Sequence, residues 1–218
     1  MNGRLIVLEG LDGSGKSTQL ELLKAKLGEN VRYVKFPDYD AKSSTLVKMY
    51  LAGEFGPNPD DVNAFAASAF YAVDRYASFK TEWGADYKSG SVIVCDRYTT
   101  SNAVHQASKL DAEDRDEYLD WLYDFEFNKL GIPKPDAVVF LDMPIDVSQR
   151  LMSERYQGDE SRKDIHERDF EYLEHCRESA LYSAKRLGWT VVKCAEGGQP
   201  RTREDIADEV FKAVSNIL

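Results

Sequence analysis

The sequence predicts an α/β fold in which a five-stranded parallel sheet carries helices on both faces. Three apolar runs have the length and composition of strands buried on both faces: LIVLE from Leu5, SVIVCD ending at Asp96, and AVVFLD ending at Asp142. Segments with helical periodicity separate them, and this alternation is typical of a doubly wound sheet with right-handed crossovers. No internal repeat or long linker divides the chain, so we expect one domain over residues 1–218.

Weaker patterns supply the remaining elements. VRYVKF at Val31 and TVVKCA at Thr190 complete the five strands. Apolar residues at helical spacing predict helices near 16–28, 43–52, 61–82, 111–130, 146–155, 165–187 and 202–217. The helix near 61–82 is expected to face the core with one stripe, made of Phe65, Ala69, Ala72, Val73, Tyr76 and Phe79.

The composition is that of a globular protein able to bury a sizeable core, with 43% hydrophobic and 30% charged residues. A net charge of −10 argues against a nucleic-acid-binding surface, which needs an excess of cations. No apolar run has the length of a membrane span, and the first strand begins too early for a signal peptide. Three widely spaced cysteines indicate reduced thiols, so we expect a cytoplasmic protein.

The segment GLDGSGKST, residues 10–18, satisfies the phosphate-loop pattern G-x-x-x-x-G-K-[ST] between a strand and an amphipathic helix. Glycines allow the backbone to turn and to approach phosphate oxygens, and the following helix offers its positive end. Lys16 is expected to reach the β- and γ-phosphates, and Ser17 to bind Mg²⁺. The pattern therefore predicts a three-layer P-loop NTPase fold that binds ATP through Gly10, Asp12, Gly13, Ser14, Gly15, Lys16, Ser17 and Thr18.

The destination of the phosphoryl group depends on other signals. The chain lacks the N-K-x-D run of guanine-specific switches and the coupling motifs of larger ATPases. The charged stretch ERYQGDESRKDIHERD from Glu154 suits either a solvated loop or a mobile lid over about 154–165. A lid that excludes water would favour transfer to a small molecule.

Two further segments offer polar groups. CDRYTTS places Asp96 and Arg97 at the carboxyl end of a strand, the edge where ligands bind. These residues suit a Mg²⁺ and phosphate site, or equally a helix cap and a surface ion pair. Tyr71 and Arg75 lie four apart, and they suit base stacking with hydrogen bonding or ordinary packing.

Together LEGLDGSGKSTQ, YAVDRY and DRYTTSNAVHQ resemble the thymidylate kinases, which transfer phosphate from ATP to dTMP, and the similarity runs over nearly the whole chain. The resemblance implies that Asp12 binds the acceptor 3′-hydroxyl and that Arg97 holds the acceptor phosphate. Asp96 would serve the Mg²⁺ and phosphate centre together with the catalytic Lys16. The expected acceptor site comprises Asp12, Pro37, Tyr71, Arg75, Arg97, Ser101, His105 and Gln106, with Tyr71 stacked on thymine and with Arg75 and Gln106 at the base edge.

Ser14 occupies the position where one branch of this family carries an Arg, so the resemblance implies that basic residues near the lid neutralise the transferring group. Four arginines are candidates, with Arg155 first because ERYQG resembles the lid sequence: Arg150, Arg155, Arg162 and Arg168.

Three positions depart from the family pattern. Tyr39 replaces an Arg that contacts the acceptor phosphate, so either Lys35 or Lys42 substitutes or the acceptor phosphate is held less tightly. His105 replaces an aromatic residue that checks the sugar 2′ position, and Ala107 replaces a glycine. A deoxynucleoside kinase, a monophosphate kinase for another base, and a regulatory module with little turnover are the alternatives. The resemblance also implies a homodimer.

Overall fold

The computed structural model describes residues 2–28, 31–155 and 170–218. Five strands form the predicted parallel sheet, and their order is β2-β3-β1-β4-β5. Their bounds are β1 Arg4–Gly10, β2 Val31–Lys35, β3 Val92–Asp96, β4 Ala137–Asp142 and β5 Thr190–Lys193.

Nine α-helices connect or follow the strands in the described ranges. They are α1 Lys16–Leu27, α2 Thr45–Leu51, α3 Ala64–Ser78, α4 Gly84–Lys88, α5 Thr100–His105, α6 Arg115–Tyr123, α7 Ile145–Arg155, α8 Phe170–Leu187 and α9 Arg203–Ser215. Short 3₁₀ turns span Lys42–Ser44, Pro59–Asp61 and Ala107–Lys109, and wider π-helical turns span Phe79–Trp83 and Asp124–Lys129. No helix within these ranges is long and apolar enough to cross a membrane.

The sheet separates two apolar cores because successive side chains of a strand point to opposite faces. Leu5 and Val7 of β1 pack into a core with residues of α5, α6 and α8. Ile6 and Leu8 pack into a second core with residues of α1, α7 and α9. This arrangement of helix, sheet and helix is the predicted three-layer fold.

The predicted core stripe of α3 is wrong in part. Ala72 and Phe79 are buried as expected, but Phe65, Val73 and Tyr76 are among the exposed large apolar side chains. The buried side of the helix instead includes the polar Ser68, Asp74 and Arg75. These three are paired by hydrogen bonds, so their burial does not leave polar groups unsatisfied.

Two helices and a hairpin have no counterpart in the predicted set. Helix α4 lies beyond the predicted end at residue 82. Helix α5 begins within the DRYTTS segment and is too short to show a clear helical period. The hairpin is a two-stranded antiparallel pair of β6 Ala195–Glu196 and β7 Gln199–Pro200. The hairpin follows β5 directly and stands beside the phosphate-loop side of the sheet.

Candidate active site

The carboxyl ends of three neighbouring strands bring the predicted site residues together. Leu8 of β1 pairs with Asp96 of β3, and Asp96 in turn pairs with Lys35 of β2. The backbone N–H of Phe36 donates to the carbonyl of Asp96 at 3.0 Å, which extends the alignment past the last strand residues. Residues that leave these strands therefore converge on one edge of the sheet, where ligands bind in open parallel sheets.

The phosphate loop has the backbone shape that its glycines predict. Gly13 and Gly15 have φ angles of 76° and 90°, in the left-handed region that favours glycine. A Cβ atom on Gly13 would lie 2.9 Å from the carbonyl oxygen of Ser148, so α7 also requires a residue without a side chain there. Helix α1 begins at Lys16 and directs its positive end toward the loop.

Lys16 is buried and folded back onto this loop. Its Nζ atom donates to the carbonyl oxygens of Gly10 at 2.7 Å and Leu11 at 3.1 Å. Burial and the nearby guanidinium of Arg97 lower the pKa of Lys16 to about 8, although surrounding carboxylates oppose that shift. A bound phosphate would supply the counter-charge that favours the ammonium form.

A cavity of about 550 Å³ lies beside the loop and is the candidate nucleotide site. It is lined by seven of the eight predicted ATP-binding residues, and Gly10 is absent from the lining: the seven are Asp12, Gly13, Ser14, Gly15, Lys16, Ser17 and Thr18. Arg201 and Arg203 also line it, and they were absent from the predicted site. Their signal in the sequence was weak, because the hairpin that precedes them has no strong apolar pattern.

The candidate lid arginines are only partly described. Arg150 directs Nη2 to the carbonyl oxygen of Gly198 at 3.0 Å and to Gln199 Oε1 at 3.3 Å, and so contacts the β6–β7 hairpin. Arg162, Arg168 and the side chain of Arg155 lie outside the described residues, as does most of the predicted lid over 154–165.

Arg97 is the centre of the charged network at the sheet edge. Its φ angle of 66° is unusual for a residue with a side chain and turns the chain sharply after β3. Nη2 donates to Asp12 Oδ1 at 2.8 Å, and Nη1 lies 3.2 Å from His105 Nε2 and 3.5 Å from Ser101 Oγ. The two acids in contact with Arg97 among the described residues are Asp12 of the phosphate loop and Glu9 of β1.

Glu9 is the second of these acids and was missed in the sequence. Its carboxylate is fully buried, accepts hydrogen bonds from Thr100 Oγ1 at 2.7 Å and Ser101 Oγ at 2.8 Å, and lies 3.5 Å from Arg97. A signal did exist, since a charged residue inside a strand predicted to be buried on both faces must have a partner. Glu9 thus ties β1, Arg97 and α5 together.

A second cavity, of about 240 Å³, is lined in part by Arg97. It includes every predicted acceptor-site residue: Asp12, Pro37, Tyr71, Arg75, Arg97, Ser101, His105 and Gln106. Tyr172 of α8 also lines it and was not predicted. Asp12 lines both cavities, so they meet at the phosphate loop.

Asp12 and Arg97 stay charged at this junction. Burial alone would raise the pKa of Asp12, but the positive charges of Arg97 and Lys16 outweigh it and hold the pKa below its usual range. Two fixed cations and one fixed anion therefore separate the cavities. A phosphate that binds in either cavity would therefore meet a side chain that already carries a positive charge, so no proton transfer is needed for binding.

Arg75 reaches the acceptor cavity from α3 with most of its guanidinium already engaged. Nε donates to Glu126 Oε2 at 2.7 Å, and Nη2 donates to Glu126 Oε1 at 2.5 Å. Nη1 has only a 3.4 Å contact with the carbonyl oxygen of Tyr98. This leaves Nη1 as the donor best placed to serve a ligand.

Buried side-chain oxygen atoms without a hydrogen-bond partner among the described residues lie at both cavities and at the end of β3. They include Oε1 of Gln106 at the acceptor cavity, Oγ of Ser14 and Oε1 of Gln19 at the nucleotide cavity, and Oδ1 of Asp96 at the end of β3. Buried polar atoms are normally paired, so each is a candidate ligand contact. Asp96 Oδ1 and the Ser17 hydroxyl are oxygen donors of the kind that Mg²⁺ prefers.

The sequence profile of the thymidylate kinase family matches residues 8–206 of this chain. The chain belongs to the thymidylate kinase family. The thymidylate kinase of Mycobacterium tuberculosis is 32% identical over 191 residues, which cover 85% of this chain and 87% of that protein. A probable thymidylate kinase of Pyrococcus horikoshii is 33% identical over 159 residues, with 71% and 72% covered. The thymidylate kinase structure from Candida albicans shares the fold, with a TM-score of 0.71 at 21% identity over 99% of this chain and 92% of that one.

Thymidylate kinases are phosphotransferases, and two cavities that meet at the phosphate loop are consistent with ATP-dependent phosphorylation of dTMP to dTDP. Against the family pattern, Tyr39 lies at the mouth of the acceptor cavity and is exposed. Lys35 also lines this cavity, whereas Lys42 is absent from its lining. Of the two proposed substitutes for the missing Arg, Lys35 is therefore the one in position.

His105 occupies the acceptor cavity of this thymidylate kinase family member with contacts on both ring edges. Nε2 lies 3.2 Å from Arg97 Nη1, and Nδ1 lies 3.5 Å from Cys176 Sγ. The ring stacks against Tyr172 at a centroid distance of 6.4 Å. Ala107 is buried in the adjoining core, where its methyl group is accommodated.

Proposed function

We propose that this protein transfers the γ-phosphate of ATP in line to the 5′-phosphate of dTMP, as a single domain. The observation that carries the proposal is the meeting of the two cavities at Asp12, with Lys16 facing the nucleotide side and Arg97 the acceptor side. Transfer then depends on positioning and on neutralising the charge of the transferring group, without a covalent intermediate. Asp12 would bind the acceptor 3′-hydroxyl.

Recognition of the base rests on three side chains of the acceptor cavity. Tyr71 supplies an aromatic face, and its ring is held edge-on by Tyr50 at a centroid distance of 6.4 Å. Arg75 offers Nη1 as a donor to a base carbonyl, and Gln106 offers Oε1 as an acceptor for a ring N–H. Thymine carries both complementary groups on one edge.

The site fits Mg²⁺, since Asp96 Oδ1 is a buried oxygen without a partner among the described residues and Ser17 lines the nucleotide cavity. When bound with ATP, the ion would neutralise charge on the phosphate oxygens. Arg155 and Arg150 remain proposed contributors to this neutralisation from the lid side, together with Arg162 and Arg168. Arg201 and Arg203 face the nucleotide cavity and favour an anionic ligand there.

We also propose a cytoplasmic homodimer. The exposed apolar face of α3, made of Phe65, Val73 and Tyr76, supports association with a second copy. Phe65 packs edge-on against Trp121 at a centroid distance of 4.7 Å, which widens the face toward α6. Buried, unpaired thiols at Cys95, Cys176 and Cys194 suit a reducing compartment.

The deciding experiment is an ADP-release assay with Mg·ATP and dTMP, dUMP, UMP, thymidine or no acceptor. We expect strong turnover with dTMP. Turnover with thymidine but not dTMP would move the protein to the deoxynucleoside kinases, which the replacement of the family Arg by Tyr39 favours. Absence of any acceptor-dependent turnover would leave a nucleotide-binding regulatory module.

Arg97→Ala should lower kcat/KM for dTMP by about 10²-fold, because one fixed cation at the acceptor phosphate is lost. ATP binding, measured by calorimetry, should change far less. Arg4→Ala is the matched control, since Arg4 is exposed and lies at the opposite end of β1. Equal losses of dTMP use and ATP affinity would contradict the assigned role of Arg97.

Tyr39→Arg should lower the KM for dTMP severalfold, because it adds a cation at the mouth of the acceptor cavity. The KM for ATP should not change, since Tyr39 does not line the nucleotide cavity. Initial rates at saturating ATP provide the measurement, with Tyr39→Gln as a neutral control. An unchanged KM for dTMP would show that residue 39 does not contact the acceptor phosphate.

A further inference from the structure

His105 belongs to a chain of hydrogen bonds that runs from α8 to the guanidinium group of Arg97. Arg97 Nη1 lies 3.2 Å from His105 Nε2, and His105 Nδ1 lies 3.5 Å from Cys176 Sγ. Ser108 Oγ lies 3.4 Å from the same sulfur atom and donates to the carbonyl oxygen of His105 at 2.9 Å. The chain therefore joins the turn after β3, the end of α5 and the middle of α8.

The donors and acceptors of this chain determine where each proton lies. A guanidinium group has donors only, so His105 Nε2 must present a lone pair to Arg97. Ser108 gives its one hydroxyl proton to the His105 carbonyl, so the thiol of Cys176 donates to Ser108 Oγ. The thiol proton is then not directed at His105 Nδ1, so Nδ1 carries a proton and donates it to the sulfur atom. The imidazole is thus neutral, with its proton on Nδ1.

The surroundings of the ring stabilise this tautomer. Burial raises the pKa of Cys176 to about 11, so the thiol keeps its proton at neutral pH. The His105 ring stacks against Tyr172 with 24° between the ring planes, which restricts its rotation. A proton on Nε2 would instead direct a donor at Arg97, which has no acceptor to offer. The hydrogen bond at Nδ1 therefore decides which nitrogen faces Arg97.

We propose that His105, held by Cys176 in the tautomer with its proton on Nδ1, is a positioning residue that fixes the Nη1 side of Arg97. This inference rests on the proposed function and deepens it. With Nη2 bound to Asp12 and Nη1 to His105, the guanidinium is oriented before the acceptor phosphate binds. Cys176 is absent from the lining of the acceptor cavity, so it acts on that cavity through a neighbour.

The first test reads the tautomer directly in the unmodified protein. Two-bond proton–nitrogen NMR correlation spectra of isotope-labelled protein distinguish a protonated ring nitrogen from an unprotonated one. The chain has three histidines, so the signals of His105 can be assigned by their loss in His105→Gln. We expect a protonated Nδ1 and an unprotonated Nε2 at neutral pH. A protonated Nε2, in the other tautomer or in an imidazolium, would overturn the proposal.

The second test measures the KM for dTMP at saturating Mg·ATP. His105→Phe keeps a ring beside Tyr172 and removes the acceptor for Arg97, so we expect the KM to rise about three- to tenfold, the effect of one hydrogen bond. His105→Gln places an amide oxygen near the former position of Nε2 and should restore most of the affinity. The KM for ATP should stay constant. Equal KM values for dTMP in the two variants would contradict the acceptor role of Nε2.

Cys176→Ala tests the support of the ring from α8. It removes the acceptor for Nδ1–H, so the KM for dTMP should rise by a similar factor, and Cys176→Ser should restore it. Cys194→Ala is the matched control, because Cys194 is a buried thiol of the opposite core. In a His105→Phe background Cys176→Ala should have no further effect, since no Nδ1 remains. A persisting effect would indicate a route through Tyr172 and would overturn the proposal.

The outcomes separate this inference from the proposed function. Absence of dTMP turnover in the unmodified protein would overturn the proposed function, while the NMR spectra would still decide the tautomer of His105. Normal turnover with an unchanged KM for dTMP in His105→Phe and Cys176→Ala would overturn the positioning role alone. The ratio of KM values for dTMP and its ribose analogue should stay constant in Cys176→Ala, because Arg97 would bind the phosphate that both share. A changed ratio would assign the effect to the sugar and overturn the role through Arg97.

Discussion

Lys16→Met should reduce kcat by about 10³-fold, because it removes the cation nearest the transferring phosphoryl group from a site that excludes water. Lys16 Nζ donates to the Gly10 and Leu11 carbonyl oxygens inside the loop. In the ATP complex the same ammonium would exchange these contacts for phosphate oxygens. The methionine keeps an unbranched apolar stem and lacks the ammonium group, so the loss measures that charge together with its hydrogen bonds.

The same lysine should give ATP binding a pH dependence. With its pKa lowered to about 8, Lys16 loses its proton as the pH rises through that value, while bound phosphate favours the charged form. ATP affinity should therefore be constant below about pH 7 and fall by up to about tenfold per pH unit above about pH 8. Calorimetry with Mg·ATP in several buffers checks this result.

Lys24→Met is the matched control, since Lys24 lies on the same helix and forms a surface pair with Glu21. It should keep both the kcat and the pH slope, whereas Lys16→Met should show flat, weak binding. A slope that survives in Lys16→Met would assign the titration to another group of the site.

The sequence predicted the features of the structure that depend on residues close together in the chain. Apolar runs predicted β1, β3 and β4, because strands buried on both faces are made mostly of apolar residues, and weaker patterns predicted the edge strands β2 and β5. The phosphate-loop pattern located the nucleotide cavity, because the residues of the loop are contiguous and their sequence determines the backbone conformation of the loop. The residues of the acceptor cavity came from the family resemblance, and each of them lines it.

Partnerships between distant residues were not predictable in the same way. Glu9 meets Thr100 and Ser101 more than 90 positions away, and Glu126 meets Arg75 51 positions away. A prediction from periodicity assigns such charged residues to the solvent-facing side of a helix. For the same reason the predicted core stripe of α3 was wrong in part. Arg75 lies on the buried side of that helix only because Glu126 compensates for its charge.

Each of the two buried carboxylates, Glu9 and Glu126, binds one arginine of the acceptor cavity. Glu9 approaches Arg97 from the sheet, and Glu126 approaches Arg75 from the turn after α6. Each carboxylate also accepts hydrogen bonds from residues of the segment Thr99–Ser101 that leads into α5. Arg97 and Arg75, which we propose bind the acceptor phosphate and the base, are thus fixed against one short segment, which keeps their separation constant.

Glu126→Ala should lower the free energy of unfolding by about 3–5 kcal/mol, because it leaves a buried guanidinium without its counter-charge. The side chains of Arg75 and Glu126 are 2% and 0% exposed, so water cannot replace the lost partner. Thr99 Oγ1, at 2.8 Å, loses its acceptor as well. Urea denaturation followed by circular dichroism measures the change, and Asp124→Ala, an exposed carboxylate of the same turn, should leave the midpoint unchanged.

A double variant separates the structural role of Glu126 from its role in recognition. Arg75→Met with Glu126→Leu replaces the ion pair by apolar groups of similar size, and such replacements commonly cost little stability. Unfolding should then return close to that of the unmodified protein, yet the KM for dTMP should stay high because Arg75 Nη1 no longer meets the base. Recovery of both stability and dTMP affinity would show that Arg75 does not read the base, whereas recovery of neither would show that the pair is required by the fold itself. The expected result, recovered stability with lost dTMP affinity, would mean that this buried ion pair is retained because it holds a base-reading donor in place.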